Sequence, residues 1–353
     1  MEFVYFLSSY MPDAAYGGKR VYADMVEQAV AAEKLGFRGV AIPEHHLINI
    51  LMVPSPLQMA VKIAGLTSHI DLITSIMILP VRDMRILAGE IVQAHMLCDE
   101  RLVAGVGRGA FDYEVSRLGT PIGKTREKFI ESIQVLEALL SQPDVSWDGA
   151  YYKFDPITIM PRPQGKVPLM VAAMAPESIF DSARRGYHIQ TTPLSGSHDV
   201  LLQQVDAFKR GKAAGGEKAR HARLSLQRGL YAARNEADAR QKIEMASEYY
   251  KRFFNIRGPG LVDRGMIRAL PREQTLEELS QNLIVCPPSE MIDRLAVYAE
   301  AGIDEVYCPC GYGQSHAETL EMMQRFSEEV MPHFVPKKAP PPVRSATPDL
   351  AVQ

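Results

Sequence analysis

The chain has 353 residues, 46% of them hydrophobic and 23% charged, and its formal net charge is −3. This length can bury one large α/β domain or two medium ones, and the small net charge does not favour nucleic acid or an anionic membrane as a partner. The four cysteines are too scattered for a disulfide framework, and no apolar run approaches the ~20 residues of a transmembrane helix. The N-terminal residues lack the basic region of a signal peptide. We therefore expect a cytoplasmic protein.

Strand and helix patterns alternate along the chain. An apolar run predicts a strand just after the N-terminus, and apolar residues at helical spacing then predict the first helix, which ends at Gly36. Eight such units in ~330 residues favour a (β/α)8 TIM barrel with parallel strands over a doubly wound sheet. The predicted strands cover residues 3–7, 39–43, 71–79, 102–106, 169–173, 187–191, 223–232 and 304–308. The predicted helices cover residues 22–35, 56–66, 84–99, 125–140, 176–186, 198–214, 236–254 and 316–331, with additional helices at 276–283 and 288–301.

Two insertions interrupt this alternation. The first follows the fourth helix, where residues 145–154 alternate around Asp148-Gly149 and predict a hairpin before a proline-rich stretch. The second, residues 255–274, follows the seventh helix and is rich in glycine, proline and arginine, as binding loops and lids often are. Residues 1–335 are thus predicted to form one barrel domain. Residues 336–353 contain three consecutive prolines and no periodic apolar pattern, and they are predicted to be a disordered tail.

Glu44, His45 and His46 follow the second predicted strand directly. In a (β/α)8 barrel the C-terminal ends of the strands carry the chemistry, and histidine is suited to proton transfer near neutral pH. The neighbouring carboxylate could fix the tautomer of a histidine. Two other interpretations remain open at this point: a metal site, which would need further ligands that the sequence does not supply nearby, or a polar loop that only closes the barrel.

A Gly107-Arg108-Gly109 turn follows the fourth predicted strand. The glycines allow the backbone to approach an anion, and the guanidinium group can bind a phosphate through two hydrogen bonds. Gly109 is part of the same candidate site. Glycine-containing turns after strands are common, so an ordinary turn is an open alternative.

Ala175, Glu177 and Ser178 open the helix after the fifth predicted strand. Backbone N–H groups and a hydroxyl at a helix N-terminus form a ready anion site, although a simple helix cap would have the same sequence. Ile76 and Met77 are pocket candidates because their strand lies between the two other sites.

These motifs carry a resemblance. Glu44-His45-His46, Gly107-Arg108-Gly109, Leu79-Pro80, residues 301–304 and Met331-Pro332 occur in the order seen in the bacterial luciferase-like flavin-dependent monooxygenases. The resemblance covers roughly residues 1 to 335. It is closest to the alkanal monooxygenase-like branch, whose form of the second loop is Glu-His-His.

The resemblance implies a (β/α)8 barrel that binds reduced FMN (FMNH2), reacts with O2 to give a C4a-peroxyflavin, and oxidises a small organic substrate such as an aldehyde or ketone. It implies that His45 acts as a base or hydrogen-bond partner of the flavin intermediate, with His46 in support, and that Arg108 and Ser178 hold the phosphate. It also implies a non-proline cis peptide at Ser75-Ile76, under the flavin ring. No G-x-G-x-x-G motif for a nicotinamide cofactor follows the first strand, so a separate NAD(P)H:flavin reductase is expected as a partner.

The resemblance further implies that residues 255–274 form a mobile lid, and that the second and third helices form the interface of a homodimer. Ala60, Ala64, Ala88 and Gly89 are small enough for close packing there. No metal is expected.

The sequence also departs from the luciferase pattern. Gly107 stands in place of a reactive cysteine, Met174-Ala175 in place of a Glu-Ser pair, and Phe111 in place of a tyrosine. These changes speak against light emission but not against flavin binding. Two alternatives stay open: a deazaflavin-dependent dehydrogenase or reductase of the same fold, which the Glu-His-His loop disfavours, and a non-catalytic flavin-binding protein.

Overall fold

The computed structural model describes residues 1–192 and 198–334, so the predicted tail at 336–353 lies outside the described residues. The strands alternate with helices, as the sequence predicts. They are β1 (Glu2–Phe6), β2 (Gly39–Ile42), β3 (Asp71–Thr74), β4 (Met77–Ile78), β5 (Leu102–Gly107), β6 (Val145–Asp148), β7 (Lys153–Ile157), β8 (Leu169–Ala172), β9 (His188–Thr191), β10 (Leu224–Gln227), β11 (Leu230–Ala232), β12 (Val262–Asp263), β13 (Met266–Ile267), β14 (Ile284–Cys286) and β15 (Glu305–Pro309).

The barrel closes because the first strand, β1, pairs with the last strand, β15. All pairings in this sheet are parallel, and β1 lies between β2 and β15, with Glu2 opposite Glu305 and Val4 opposite Gly39. The order around the barrel is β1, β2, β3 with β4, β5, β8, β9, β10 and β15. The prediction of a (β/α)8 barrel is therefore confirmed. Strands of this kind are covered on both faces, which explains why Phe3, Val4 and Tyr5 are consecutive and all at most 1% exposed.

The helices surround the barrel. In the first of them Val21, Met25, Ala29 and Ala32 are buried at helical spacing, so one face packs on the strands. The α-helices are α1 (Gly18–Lys34), α2 (Pro56–Ala64), α3 (Met84–Leu97), α4 (Asp112–Arg117), α5 (Thr125–Ser141), α6 (Pro176–Arg184), α7 (His198–Gly215), α8 (Glu236–Arg257), α9 (Leu276–Asn282), α10 (Pro288–Ala301) and α11 (His316–Arg325).

Several predicted elements differ from the observed ones. The third predicted strand, 71–79, is not continuous: β3 ends at Thr74 and β4 begins at Met77, and the peptide bond between Ser75 and Ile76 is cis, as the resemblance implies. The seventh, 223–232, is also broken, because β11 leaves the barrel and pairs with β14. The eighth predicted helix ends as an α-helix at Arg325 and continues as a π-helical turn. Helix α4 was not predicted.

Both insertions contain a hairpin. In the first, β6 and β7 pair in antiparallel fashion with Trp147 opposite Phe154, which confirms the predicted hairpin, although Asp148 pairs with Lys153 and the turn follows it. In the second, β12 and β13 form a short hairpin, and the backbone N–H of Ile267 donates to Asn49 Oδ1 at 2.9 Å. The second insertion is therefore attached to the loop that follows β2.

The small residues expected at a dimer interface face inward instead. Ala60, Ala64 and Ala88 are at most 6% exposed within the single chain, because α2 and α3 turn these faces towards the barrel. A partner could not reach them. The exposed apolar side chains of this region include Ile86 and Leu97 of α3. Within the described residues, no helix has the length and apolarity needed to cross a membrane.

Candidate active site

A cavity of about 1600 Å³ opens at the C-terminal ends of the barrel strands. Sites for one small ligand usually have a volume of roughly 300–1,000 Å³, so this cavity has room for a large cofactor and a second molecule. The lining residues include Arg108, which follows β5, Ile76, which lies between β3 and β4, and Gln227 of β10. The cavity therefore lies where the sequence predicts chemistry.

Most of the predicted site residues line this cavity. They are Glu44, His45, Ser75, Ile76, Arg108, Gly109, Ala175, Glu177 and Ser178. Two do not. Met77 is fully buried in the barrel wall opposite Val106, and His46 lies beside the cavity without lining it.

His45 is held by a carboxylate from another part of the chain. Its Nδ1 lies 2.9 Å from Glu114 Oε1, and the other oxygen of Glu114 accepts the backbone N–H of His46 at 2.9 Å. Glu114 belongs to α4 and is 0% exposed. Because a carboxylate beside Nδ1 requires a proton on that nitrogen, Nε2 of His45 is left as the acceptor. The His45 ring also stacks on Phe111, with 4.7 Å between the ring centroids.

The side chain of Glu44 contacts His46 and not His45. Its Oε1 lies 2.8 Å from His46 Nε2 and 3.0 Å from a terminal nitrogen of Arg82, and its Oε2 accepts the backbone N–H of Ile78 at 3.3 Å. The neighbouring carboxylate therefore contacts a histidine, as the sequence suggests, but that histidine is His46. A side chain two positions away reaches His46, whereas the His45 ring points to α4.

A chain of polar side chains crosses the inside of the barrel. Ser75 Oγ donates to Gln190 Oε1 at 2.9 Å, and Gln190 Nε2 donates to Gln227 Oε1 at 2.6 Å. Ser75 follows β3, whereas Gln190 lies on β9 across the barrel and Gln227 on neighbouring β10. All three line the cavity, so they present amide and hydroxyl groups to whatever binds there.

Positive charge and helix geometry combine at another part of the cavity. Arg108 is exposed and has no ion pair or hydrogen bond with the described residues, and Ser178 stands in the first turn of α6. The N-terminus of α6 carries a partial positive charge and unpaired N–H groups. Gly109 has φ +78, and a Cβ there would meet Ile78 and Val115 at 2.9 Å, so the turn beside Arg108 requires glycine.

One wall of the cavity is aromatic. We use the term α8 wall for the side chains of Tyr249, Tyr250, Phe253 and Phe254, which all line the cavity from one helix. The ring of Phe111 packs edge-on against Phe253 at 5.3 Å, which links the α8 wall to His45. Burial raises the pKa of Tyr250 to about 12, although the charges of Arg228, Arg272 and Arg257 oppose the shift, so its hydroxyl stays protonated at neutral pH.

Sequence reasoning did not identify Glu114, Gln190, Gln227 or the α8 wall. Glu114 lies 69 positions from His45, and Gln190 pairs with Ser75 across 115 positions, so neither contact follows from local spacing. The α8 wall did have a local signal: residues 249–254 hold four aromatic side chains in six positions. In the described part of the chain, no group of three or more His, Cys, Asp and Glu side chains could hold a metal ion.

Comparison with known proteins supports the fold and the family. The model of the family described as luciferase-like monooxygenase matches residues 1–305. The oxygenase component of the flavin-dependent trigonelline monooxygenase of Acinetobacter baylyi is 26% identical over 332 residues, which cover 91% of this chain and 92% of that protein. An F420-dependent glucose-6-phosphate dehydrogenase of Beutenbergia cavernae is also 26% identical over 332 residues, with coverages of 88% and 93%.

Solved structures agree on the architecture. The monooxygenase RslO1 from Streptomyces bottropensis superposes with a TM-score of 0.81 at 22% identity, over 95% of this chain and 100% of that chain. The oxygenating constituent of 3,6-diketocamphane monooxygenase from Pseudomonas putida, in complex with FMN, gives a TM-score of 0.77 at 16% identity, with coverages of 95% and 99%. With the family model matching most of the sequence, the chain is an enzyme that belongs to the luciferase-like monooxygenase family.

Proposed function

We propose that this protein is the oxygenase component of a two-component monooxygenase that uses reduced FMN and O2. The observation that carries the proposal is a single cavity that is lined by two groups of different chemistry. One is His45, which is fixed by the buried Glu114. The other is Arg108 with the first turn of α6, which provide positive charge. A flat ring system with a phosphate on a short chain fits this pair of groups.

The residues present fit FMN. Arg108 and Ser178 would hold the phosphate, with Glu177, Ala175 and Gly109 shaping the turns around it. The ring would lie against Ile76, which lines the cavity beside the small side chains of Ala172 and Ala173. Met77 would support this surface from the barrel wall without touching the cofactor.

The polar groups of the site have distinct tasks in this proposal. When bound, reduced FMN supplies the electrons for the reaction of O2 with the substrate. His45 Nε2 would accept a hydrogen bond or a proton at the ring, because Glu114 keeps the proton on Nδ1. Ser75, Gln190 and Gln227 would orient the polar edge of the ring. Glu44 and His46 would position the loop that carries His45.

The remaining parts of the proposal concern partners and substrate. A separate NAD(P)H:flavin reductase would supply reduced FMN, as the description of the trigonelline monooxygenase as an oxygenase component suggests. The substrate would be a small organic molecule such as an aldehyde or ketone. The Glu44-His45-His46 loop favours the alkanal monooxygenase-like branch of the family. A homodimer would use the outer face of α3, where Ile86 and Leu97 are exposed.

In this proposal, the second insertion excludes solvent from the cavity. Arg272 and Gln274 from the end of this insertion line the cavity, as does Arg257 from its beginning. A segment that closes over the bound cofactor would keep water from the reaction. We propose that residues 255–274 are this lid.

A second candidate is a dehydrogenase or reductase that uses the deazaflavin F420. It is favoured by relatives of that name, such as the one from Amycolatopsis mediterranei, which is 23% identical over 320 residues. The two candidates differ in the cofactor and in the use of oxygen. Fluorescence titrations of the protein with FMN and with F420, in both redox states, distinguish them.

The decisive experiment mixes the complex of protein and photoreduced FMN with oxygenated buffer in a stopped-flow spectrometer. The monooxygenase proposal predicts that oxidised FMN reappears much more slowly, and with different spectral phases, than from free reduced FMN. The control is the His45→Ala variant, in which this difference should shrink. Tight binding of reduced FMN with reoxidation kinetics equal to those of free flavin would contradict oxygenation.

A further inference from the structure

The α8 wall is accompanied by two guanidinium groups. The Cζ atom of Arg272 lies 3.9 Å from the centroid of the Phe254 ring, and Cζ of Arg257 lies 5.8 Å from the same centroid and 5.5 Å from that of Phe253. Both arginines line the cavity. A guanidinium group packed against a ring through its face keeps its in-plane N–H groups available for hydrogen bonds.

These two arginines have no carboxylate partner. Among the described residues neither side chain forms an ion pair or a conventional hydrogen bond, and both guanidinium groups lie over aromatic rings. Burial lowers the pKa of both groups, and the influence that opposes it comes from Tyr250. Arg272 is half-buried and Arg257 is exposed, and two such cations without a counter-charge favour the binding of an anion.

Two hydroxyl groups lie close together beside Gly229, which also lines the cavity. Tyr312 is 4% exposed, and its hydroxyl is buried without a hydrogen-bond partner in the described part of the chain. A Cβ at Gly229 would lie 2.7 Å from the Tyr312 hydroxyl and 3.4 Å from that of Tyr250, so both hydroxyls converge where residue 229 has no side chain. An unpaired buried hydroxyl costs free energy unless a ligand or water satisfies it.

The carboxylates nearby do not support a cationic ligand. Glu278 lines the cavity, but its side chain is used in the capping box of α9, where it accepts the backbone N–H of Thr275 at 2.9 Å. Glu273 also lines the cavity and is exposed. Apart from this solvent-exposed carboxylate, the charged groups left for a ligand in this part of the cavity are guanidinium groups, which lie beside aromatic faces.

Building on the proposed function, we propose that the organic substrate carries a planar aromatic ring with a carboxylate group, in addition to the group that is oxidised. Its ring would pack against Phe253 and Phe254, and its carboxylate would be bound by Arg257 and Arg272, with the hydroxyl of Tyr312 as a further donor. The α8 wall favours a flat molecule, and the two unpaired guanidinium groups favour an anionic one. The end of the cavity at Arg108 is left for the cofactor.

The test uses benzoate as the probe and isothermal titration calorimetry as the readout, with the full-length protein alone and saturated with FMN. Benzamide has the same ring without the charge, and cyclohexanecarboxylate has the same charge without the aromatic face. We expect benzoate to bind roughly tenfold or more tightly than benzamide, and severalfold more tightly than cyclohexanecarboxylate. Equal binding of benzoate and benzamide, in both forms of the protein, would overturn the proposal.

Variants locate the binding site. Arg272→Gln and Arg257→Gln should each weaken benzoate binding roughly tenfold or more, and Tyr312→Phe by a few fold, with FMN affinity unchanged. Arg268→Gln is the matched control, because Arg268 lies in the same insertion, is 65% exposed at its side chain and does not line the cavity. Unchanged benzoate affinity in both cavity variants, with the parental melting temperature, would also overturn the proposal. If the parent protein does not bind FMN but still prefers benzoate to benzamide, the result contradicts the proposed function and not the substrate class.

Discussion

The carboxylate of Glu114 lies 2.9 Å from Nδ1 of His45, although 69 positions separate the two residues in the sequence. Glu114 is completely buried, and its second oxygen accepts the backbone N–H of His46. Both oxygens are therefore engaged with the same loop. The orientation of His45 depends on α4 and not on its own strand.

Replacing Glu114 with Gln should disturb this loop and weaken the control of His45 over flavin reoxidation. The amide can accept only one of the two hydrogen bonds and places an N–H group against the other donor, which costs about 1–3 kcal/mol of stability. As for His45→Ala, we expect oxidised FMN to reappear faster from the protein-bound reduced FMN, by roughly tenfold or more, measured by stopped flow. Glu90→Gln, on the exposed face of α3, is the control and should leave both quantities unchanged.

A double variant shows whether Glu114 acts through His45. If it positions the imidazole, adding Glu114→Gln to His45→Asn should cause little further change in the rate, because residues that act as a unit are not additive. Fully additive effects would mean that the carboxylate acts independently of the histidine.

The phosphate assignment predicts a selective loss of FMN affinity. Arg108→Ala removes a charge-assisted, bidentate contact and should weaken FMN binding by about 1.5–3 kcal/mol, roughly 10- to 150-fold. Quenching of FMN fluorescence measures this directly. Arg117→Ala serves for comparison, since Arg117 packs over Tyr113 and does not line the cavity. An Arg108→Ala protein that binds FMN as tightly as the parent would show that the phosphate lies elsewhere.

Gly105 is expected to tolerate no side chain. A Cβ at this position would lie 1.9 Å from the carbonyl oxygen of Thr74, while the Thr74 hydroxyl donates to the Gly105 carbonyl at 2.8 Å. Because the obstacle is backbone, Gly105→Ala should lower the free energy of unfolding in urea by about 2–3 kcal/mol or prevent folding. At Gly123 a Cβ meets nothing within 4 Å, so Gly123→Ala should be close to neutral. Equal stability of the two variants would contradict the close approach of β3 and β5.

His188 makes stability dependent on pH. Burial lowers the pKa of this imidazole to about 4, and the charges of Arg38, Arg223, Lys166 and Lys212 act in the same direction. The unfolded chain has a histidine pKa of about 6.5. Above pH 6.5 the residue is neutral in both states and has no effect. Between pH 6.5 and 4 the imidazole is protonated in the unfolded state but not in the folded state. The free energy of unfolding therefore falls as the pH falls.

The His188→Gln variant isolates the contribution of His188 to the pH dependence of stability. From pH 7 to pH 4 the parent should lose about 2–3 kcal/mol more unfolding free energy than His188→Gln, as measured by urea titrations at each pH. His333→Gln, at an exposed position, should follow the parent. Parallel pH dependence of the parent and His188→Gln would show that His188 is protonated as readily in the folded state as in the unfolded one.

The sequence predicts the barrel and the side chains that stand at the ends of its strands. His45, Arg108 and Ser178 line the cavity because each follows or begins an element whose type is set by local patterning, whereas their roles stay predictions. The cis peptide at Ser75-Ile76 was found through the resemblance, since nothing in local propensity marks it.

Contacts between distant elements were not predictable in this way. The pairing of Glu114 with His45 depends on where a six-residue helix lies after β5, and that helix is too short to have a periodic signal. The pairing of Ser75 with Gln190 depends on the radius and stagger of the closed barrel. The inward direction of Ala60 and Ala88 also required the packed structure, because small residues suit a helix–barrel contact as well as a dimer contact.

The two kinds of wall in the cavity have different origins in the chain. His45, Arg108 and Gln227 come from separate barrel strands, whereas the α8 wall and Arg272 lie in one continuous segment, residues 249–272. A change of cofactor would require coordinated changes in many units. A change within residues 249–272 would alter most of the proposed substrate end in one short segment, and the contact of Phe253 with Phe111 would carry part of that change to His45.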